Sequence, residues 1–239
     1  MGKNIIAYSL WGDNPKYWKG ALKNVEINLE LLPEFTNRFY IDSSCSKGNI
    51  EELSKYQVEI FIVDPKTSWH GMFWRFYATC DTDVDVFLSR DTDSRISPRE
   101  ISSIKEWIVS NKDFHIMRDH PYHTVPILGG MWGCKNGILR NMDQLIENWN
   151  NHTHKKGYWR EVQTAGDQNF LAEVVYPLVV NNSMEHSEFN LRFDGEIRPF
   201  PSIRNNYEFV GDVFDENDVR NPDYWKVIKN TIINETKNN

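Results

Sequence analysis

Val86-Phe87-Leu88-Ser89-Arg90-Asp91-Thr92-Asp93 is the stretch that decides how this chain folds. A short apolar run, Val86 to Ser89, leads straight into two aspartates spaced i and i+2. Apolar runs of this length, bounded by turn residues, read as buried strands. Two neighbouring pairs, Asp81-Thr82-Asp83 and Asp83-Val84-Asp85, have the same spacing but no strand feeding them. They read as the charged turn that ends the preceding helix.

Upstream, strands and helices alternate. Ile5 to Leu10 is a first strand, and Asn14-Pro15 reads as an N-cap followed by proline at the first helical position. Trp18, Ala21, Leu22, Val25, Leu29 and Leu32 follow at helical spacing, and Pro33 ends that helix. Arg38 to Ile41 and Val58 to Val63 are further strands; Ile50 to Tyr56 and Met72 to Cys80 are helices. Such alternation predicts parallel strands with crossover helices, which bind ligands beyond the carboxyl ends of the strands. Asp42, Asp64 and Asp91 all fall in loops at those ends.

The second half is less regular. Ser97-Pro98-Arg99-Glu100 is a capping box, and its helix runs to about Val109. Phe114 to Met117, a glycine-interrupted Leu128 to Cys134, and Leu178 to Val180 read as strands. Helices are expected near Ile138–Trp149, Ala165–Tyr176 and Pro222–Ile233, with order lost from Glu235. The expectation is a single α/β domain over 1–239, a mixed sheet flanked by helices, with a soft division near residue 95.

Bulk properties narrow the classes. The 239 residues are 40% hydrophobic, enough for a sizeable core. Net charge is −7, so the basic footprint of a nucleic-acid binder is missing. Cys45, Cys80 and Cys134 are sparse and odd in number, which argues against a disulfide framework and fits a reducing compartment. The first residues lack a long apolar segment and no stretch is long and apolar enough for a transmembrane helix, so a cytoplasmic location is expected.

Two carboxylates at a strand end converge on one cation once the chain turns. Hard oxygen ligands suit Mg²⁺ or Mn²⁺, which keeps waters and takes diphosphate oxygens as further ligands. The plain alternative is a solvated acidic loop, and placement after the fourth strand of an α/β half favours the metal.

Gly71-Met72-Phe73-Trp74-Arg75-Phe76-Tyr77-Ala78, the acidic turn, and Val86 to Asp93 together resemble the helix and DxD segment of the GT-A glycosyltransferases. The resemblance implies a metal-dependent transferase moving a sugar from a UDP- or GDP-sugar to a glycan, lipid-linked or protein acceptor. It implies Asp93 as metal ligand, Asp91 divided between metal and ribose, and Arg75 facing the donor sugar or diphosphate. Retention is the outcome it implies, because the Arg75-to-Asp93 stretch looks most like the retaining families. Arg90 departs from the apolar or small residue usual at its place.

The remaining candidates follow from that resemblance. Tyr8, Ser9 and Leu10, with Trp11, would close over the base, where an aromatic ring stacks well; Tyr8 reads equally as a core aromatic. Asp64 would accept from base or ribose, or simply turn the chain before Pro65. Gly130 and Trp132 would line the acceptor side, with Trp132 against a sugar face or in the core. Asp167, three after Thr164 at a helix start, would be the catalytic base of an inverting enzyme or an acceptor-sugar ligand of a retaining one. A helix N-terminus lowers a carboxylate's pKa, which makes a weaker base. His186 would return late to the metal, or lie in a polar loop.

Two rival functions share these residues. A haloacid dehalogenase-like phosphatase would use Asp91 and Asp93 as nucleophile and acid, with Asp212 and Asp215 as a later acidic pair. A non-catalytic sugar-binding protein would keep the same fold.

Overall fold

The computed structural model describes residues 2–64, 70–156, 166–189 and 191–238. Among the described residues the strands form one eight-stranded sheet in the order β3-β2-β1-β4-β6-β5-β7-β8. Its strands are β1 Lys3–Leu10, β2 Thr36–Asp42, β3 Glu59–Val63, β4 Val84–Ser89, β5 Phe114–Arg118, β6 Trp132–Lys135, β7 Ser183–Ser187 and β8 Glu196–Arg198. All pairings are parallel except those of β6, which is antiparallel to both β4 and β5. This is the single α/β domain with a mixed, helix-flanked sheet that the sequence leads one to expect.

The helices form where the sequence places their signals. α1, Pro15–Leu31, opens on Asn14, whose side chain accepts from the Lys16 amide at 3.0 Å. That contact satisfies one of the donors a helix N-terminus leaves free. Its inner face is Trp18, Gly20, Ala21, Asn24, Val25 and Asn28, while Leu29 points outward. α2 is Lys47–Leu53, and α3 is one α-turn, Gly71–Trp74, continued as a 3₁₀ helix over Arg75–Cys80. α4, Pro98–Ile108, is capped by Ser97, whose side chain accepts from the Glu100 amide at 3.3 Å. Glu100 does not complete the expected box; its carboxylate turns to the buried Arg90. α5 is Met142–Lys156, a helical run over 166–179 is α6, and α7 is Pro222–Asn238. Helical backbone therefore persists past Glu235.

Two apolar layers sandwich the sheet. One gathers α3, α5 and α6 around Phe73, Phe76, Phe87, Trp132 and Phe170. The other packs α1 and α4 against Ile6, Tyr8, Phe39, Leu88 and Trp107. Burial of this apolar surface, at about 25 cal/mol per Å² removed from water, is the main force holding the layers.

Two strand expectations need correction, and one strand was not anticipated. The strand read from Leu128 begins only at Trp132, because residues 128–131 form a turn closed by Met131 N donating to Leu128 O at 3.1 Å. Leu178 to Val180 ends a helix and passes into a 3₁₀ turn. The strand lies just beyond, in the polar run Ser183–Ser187. β8 was not expected at all.

Candidate active site

The carboxyl ends of β1 and β4 lie side by side, since Ile6 and Ala7 register with Leu88 and Ser89. A cleft of about 360 Å³ opens there, within the range typical of small-molecule sites. Ser9, Leu10 and Trp11 enter from β1, Tyr17 from α1, Met72 and Arg75 from α3, Asp91, Thr92 and Asp93 from the β4 loop, Gly129 from the turn before β6, and Asp167 and Gln168 from α6. Val213, from the tail, closes one side.

The aspartate loop is built rigidly. The Thr92 carbonyl accepts from Asn24 Nδ2 at 3.3 Å and from Arg95 Nη1 at 3.1 Å. Phe214 N donates to the Asp93 carbonyl at 2.8 Å, and Ser94 bridges Val213. Strand alternation sends Arg90 away from the cleft. Its guanidinium is buried against Glu100 and the Trp132 carbonyl, at 3.1 Å from the latter. The departure at position 90 thus leaves the cleft unobstructed.

Arg75 is the hub. It is buried, its amide donates to Ser9 Oγ at 3.0 Å, and its guanidinium bonds Asp91, Asp167 at 3.2 Å, and the Arg90 carbonyl at 3.2 Å. Burial opposes its charge, but Asp91 and Asp167 more than offset that and hold its pKa above the ordinary value. Asp93 points instead to Lys16, whose Nζ stands 2.7 Å from Oδ2. Burial, then the charge on Asp91, raises the Asp93 pKa despite Lys16. Asp167 is also raised, by burial first, against the opposing charge of Arg75. The amide bond at the helix start, from Gln168 N at 2.9 Å, is outweighed, which corrects the expectation of a lowered value.

The glycines before β6 serve these carboxylates. A Cβ on Gly129 would stand 2.2 Å from Asp167 Oδ2, and one on Gly130 2.1 Å from Asp91 Oδ2. Ser89 Oγ donates to the Gly129 carbonyl at 2.6 Å and fixes that turn.

Ser9, Leu10, Arg75, Asp91, Asp93 and Asp167 are therefore brought together, with Gly130 behind Asp91. Four other candidates are placed elsewhere. Tyr8 is fully buried on the opposite face of β1, stacked on Phe39 and bonded to Asn28 at 2.8 Å, so it offers no face to a base. Trp11, 42% exposed, is the accessible aromatic beside it. Trp132 is 0% exposed among Phe76, Phe87 and Phe114, which makes it core and removes it from any sugar. Asp64 borders a second cleft with His70, Trp74 and Tyr77, on the far side of α3. His186 sits inside β7, three strands from β4, with its ring 2.8 Å from His115 and 3.5 Å from Glu106. Thr164, the expected partner of Asp167, lies outside the described residues. Lys16, Gly20, Gln168 and Val213 were not foreseen.

Among the described residues no group of three His, Cys, Asp or Glu would hold a metal by itself. Two carboxylates of one loop, one of them desolvated and repelled by the other, still suit a cation that takes its remaining ligands from water and substrate. Among the described residues no helix is long and apolar enough to cross a membrane.

No family model matches the chain, and no curated protein matches it either. Solved structures do. The chain is similar to the galactosyltransferase LgtC in complex with donor and acceptor sugar analogs, at 14% identity over 76% of this chain and 73% of that one, TM-score 0.48. It is similar to a glycosyltransferase involved in the glycosylation of the major capsid of PBCV-1, at 13% identity over 79% and 83%, TM-score 0.46. A mannosyltransferase from Pyrobaculum calidifontis, in complex with GDP-Man and Mn²⁺, matches at 10% identity over 59% and 46%, TM-score 0.44.

Proposed function

We propose that this chain is a metal-dependent glycosyltransferase that moves a sugar from a nucleoside-diphosphate sugar to an acceptor hydroxyl. The observation that carries the reading is the convergence of Asp91, Asp93, Arg75 and Asp167 in one cleft at the carboxyl ends of β1 and β4. A carboxylate that merely solvated a loop would not be desolvated as Asp93 is, nor would one be buried on an arginine as Asp167 is on Arg75.

Asp91 and Asp93 would hold Mn²⁺ or Mg²⁺. Bound there, the ion would neutralise charge on the leaving diphosphate. Trp11 and Tyr17, both partly exposed, offer aromatic faces to the base. Arg75 fixes Asp91 and Asp167 relative to each other and brings a permanent positive charge to the donor side. In the reaction the bond between the anomeric carbon and the phosphate oxygen breaks, and a bond to the acceptor oxygen forms. The acceptor proton would pass to the departing diphosphate oxygen, which becomes a base as its bond to the anomeric carbon breaks. Asp167 and Gln168, which line the cleft beside Gly129, would hydrogen-bond sugar hydroxyls there. Retention suits an Asp167 already engaged by Arg75, since an inverting base must be free to take the acceptor proton. The acceptor would be a glycan, a lipid-linked sugar or a protein.

The phosphatase alternative asks Asp91 to attack phosphorus. Its carboxylate is instead tied to Arg75 and pressed against Gly130. Asp212 pairs with Arg220 and Asp215 caps its own turn, so neither joins Asp91. A non-catalytic sugar binder of the same fold would bind the donor without forming product, which an assay of sugar transfer separates.

The test is a melting-temperature panel of UDP, GDP and their sugars with and without Mn²⁺. A nucleotide that binds the folded state at 100 times its Kd stabilises by about 2.7 kcal/mol. The reading requires a Mn²⁺-dependent rise with one nucleotide class and its loss in Asp93→Asn. No rise with any nucleotide in the presence of Mn²⁺ sinks it.

A further inference from the structure

Each carboxylate of the aspartate loop already has a cation of its own, and the two cations are held very differently. Arg75 on Asp91 is buried and anchored at the same time to Asp167 and the Arg90 carbonyl. It has nowhere to go. Lys16 on Asp93 is a single ion pair from the first turn of α1, with its side chain 29% exposed and a flexible four-carbon stem. Among the described residues Asp93 is the carboxylate in ion-pair range of Lys16. Among the described residues three carboxylates at this cleft, Asp91, Asp93 and Asp167, thus face two cations, Arg75 and Lys16, and one excess negative charge remains.

We propose that Lys16 exchanges partners during binding: it neutralises Asp93 in the empty protein, yields Asp93 to the divalent ion, and passes its ammonium to the incoming diphosphate. This rests on the proposed donor-binding function and concerns how that site fills. An ion arriving alone must break the Lys16–Asp93 pair and leave the ammonium, among the described residues, with no carboxylate, facing water and the Tyr17 ring 5.3 Å away. An ion arriving with a diphosphate offers Lys16 new oxygens. Metal and nucleotide therefore bind with positive coupling, each strengthening the other by the same factor. Lys16 is a positioning residue in this scheme, acting on charge balance in the cleft and not on the reacting carbon. The rigid seat of Asp93 helps the exchange. Its loop is pinned through the Thr92 and Asp93 carbonyls by Asn24, Arg95 and Phe214, so the backbone that carries the carboxylate stays in place when Lys16 leaves.

The experiment is titration calorimetry of the full chain with Mn²⁺ alone, with UDP or GDP alone, and with each in the presence of the other. It compares wild type, Lys16→Met, Lys16→Arg and Lys19→Met. Lys19 lies on the exposed face of the same helix and controls for the loss of one charge. In Lys16→Met, affinity for Mn²⁺ alone rises about fivefold, the scale of one partly exposed ion pair. In the same variant the factor by which nucleotide strengthens Mn²⁺ binding falls by a similar amount. Lys16→Arg keeps most of the coupling, and Lys19→Met leaves both quantities near wild type. A Lys16→Met protein that binds Mn²⁺ no more tightly than wild type, or keeps the full coupling, overturns the exchange while leaving the donor site standing. Absence of Mn²⁺ binding in every protein, with or without nucleotide, overturns the donor site itself and the exchange with it.

Discussion

Gly20 lies so close to Thr92 that a Cβ on it would stand 2.1 Å from the Thr92 carbonyl oxygen. Helix α1 can therefore lean directly on the backbone of the aspartate loop, and Asn24, one turn on, reaches the same carbonyl. Gly20→Ala tests this contact. In a free helix alanine is better than glycine by about 1 kcal/mol. Here the new methyl meets backbone, not a flexible side chain, so the helix or the loop must move. The expected result is a net loss of about 1–3 kcal/mol in chemical denaturation, as for other overpacked sites. The Mn²⁺-dependent nucleotide shift should shrink as well, because the displaced loop carries Asp91 and Asp93. A stabilised variant with full nucleotide binding would show that the contact is not real.

Arg75 joins the loop to α6. Removing it as Arg75→Met leaves Asp167 buried without its cation, and breaking a buried pair from one side costs about 3 kcal/mol. Adding Asp167→Asn removes the orphaned charge and should restore much of that stability. Neither variant is expected to retain transfer, since both lose the group that aligns Asp91 with Asp167. A double variant as unstable as the single one would mean that Arg75 stabilises the fold through other contacts. Urea denaturation of the two proteins, read alongside product formation, separates the outcomes.

How much of this was readable from sequence depended on where each residue's partner lies. Helix α1 was legible because its cap and apolar stripe are local signals, and β4 because an apolar run ends at Asp91. β7 was not. Ser183–Ser187 looks like a polar loop, yet Glu185 is fully buried on Arg118 and His186 on His115. Each partner comes from β5, some seventy residues away, and no local pattern encodes that pairing. Lys16 was missed for a related reason. A lysine in the first turn of a helix looks like solvent-facing surface, and only the parallel registry of β1 with β4 brings Asp93 to it. Tyr8 was left open between the base and the core although the signal that favours the core was available. Strand side chains alternate, so Ser9, which meets Arg75, puts Tyr8 on the other face.

That alternation gives a paired test of base recognition. Trp11→Ala should weaken nucleotide binding in the presence of Mn²⁺ by about tenfold or more, the scale of one base–aromatic stack. Tyr8→Phe should leave nucleotide affinity unchanged while costing about 1 kcal/mol of stability, because Asn28 loses a buried hydrogen-bond partner. Calorimetry and thermal melts on the same two proteins suffice. A weakened nucleotide in Tyr8→Phe with no change in Trp11→Ala would reverse the assignment.

Asp93 makes function and stability pull in opposite directions. Its pKa in the folded protein is raised, first by burial and then by the charge of Asp91. A carboxyl raised on folding favours the native state only while it is protonated. The resulting penalty appears as pH climbs past the unfolded value near 3.9 and is complete above the folded pKa. At neutral pH without metal, Asp93→Asn should therefore be as stable as wild type or more so. Lys16 loses its partner in that variant, but its side chain is part-exposed and can turn to water. With Mn²⁺ and nucleotide the order should reverse, because only the wild type gains the bound ion. The same shift fixes the pH dependence of binding. Metal needs the carboxylate, so Mn²⁺ affinity should begin to fall, as pH is lowered, above the range of an ordinary aspartate. Melting curves of both proteins from pH 4 to 8, with and without Mn²⁺ and nucleotide, test each part. A metal-free Asp93→Asn protein clearly less stable than wild type at neutral pH would mean that the Lys16 pair outweighs the desolvation of Asp93.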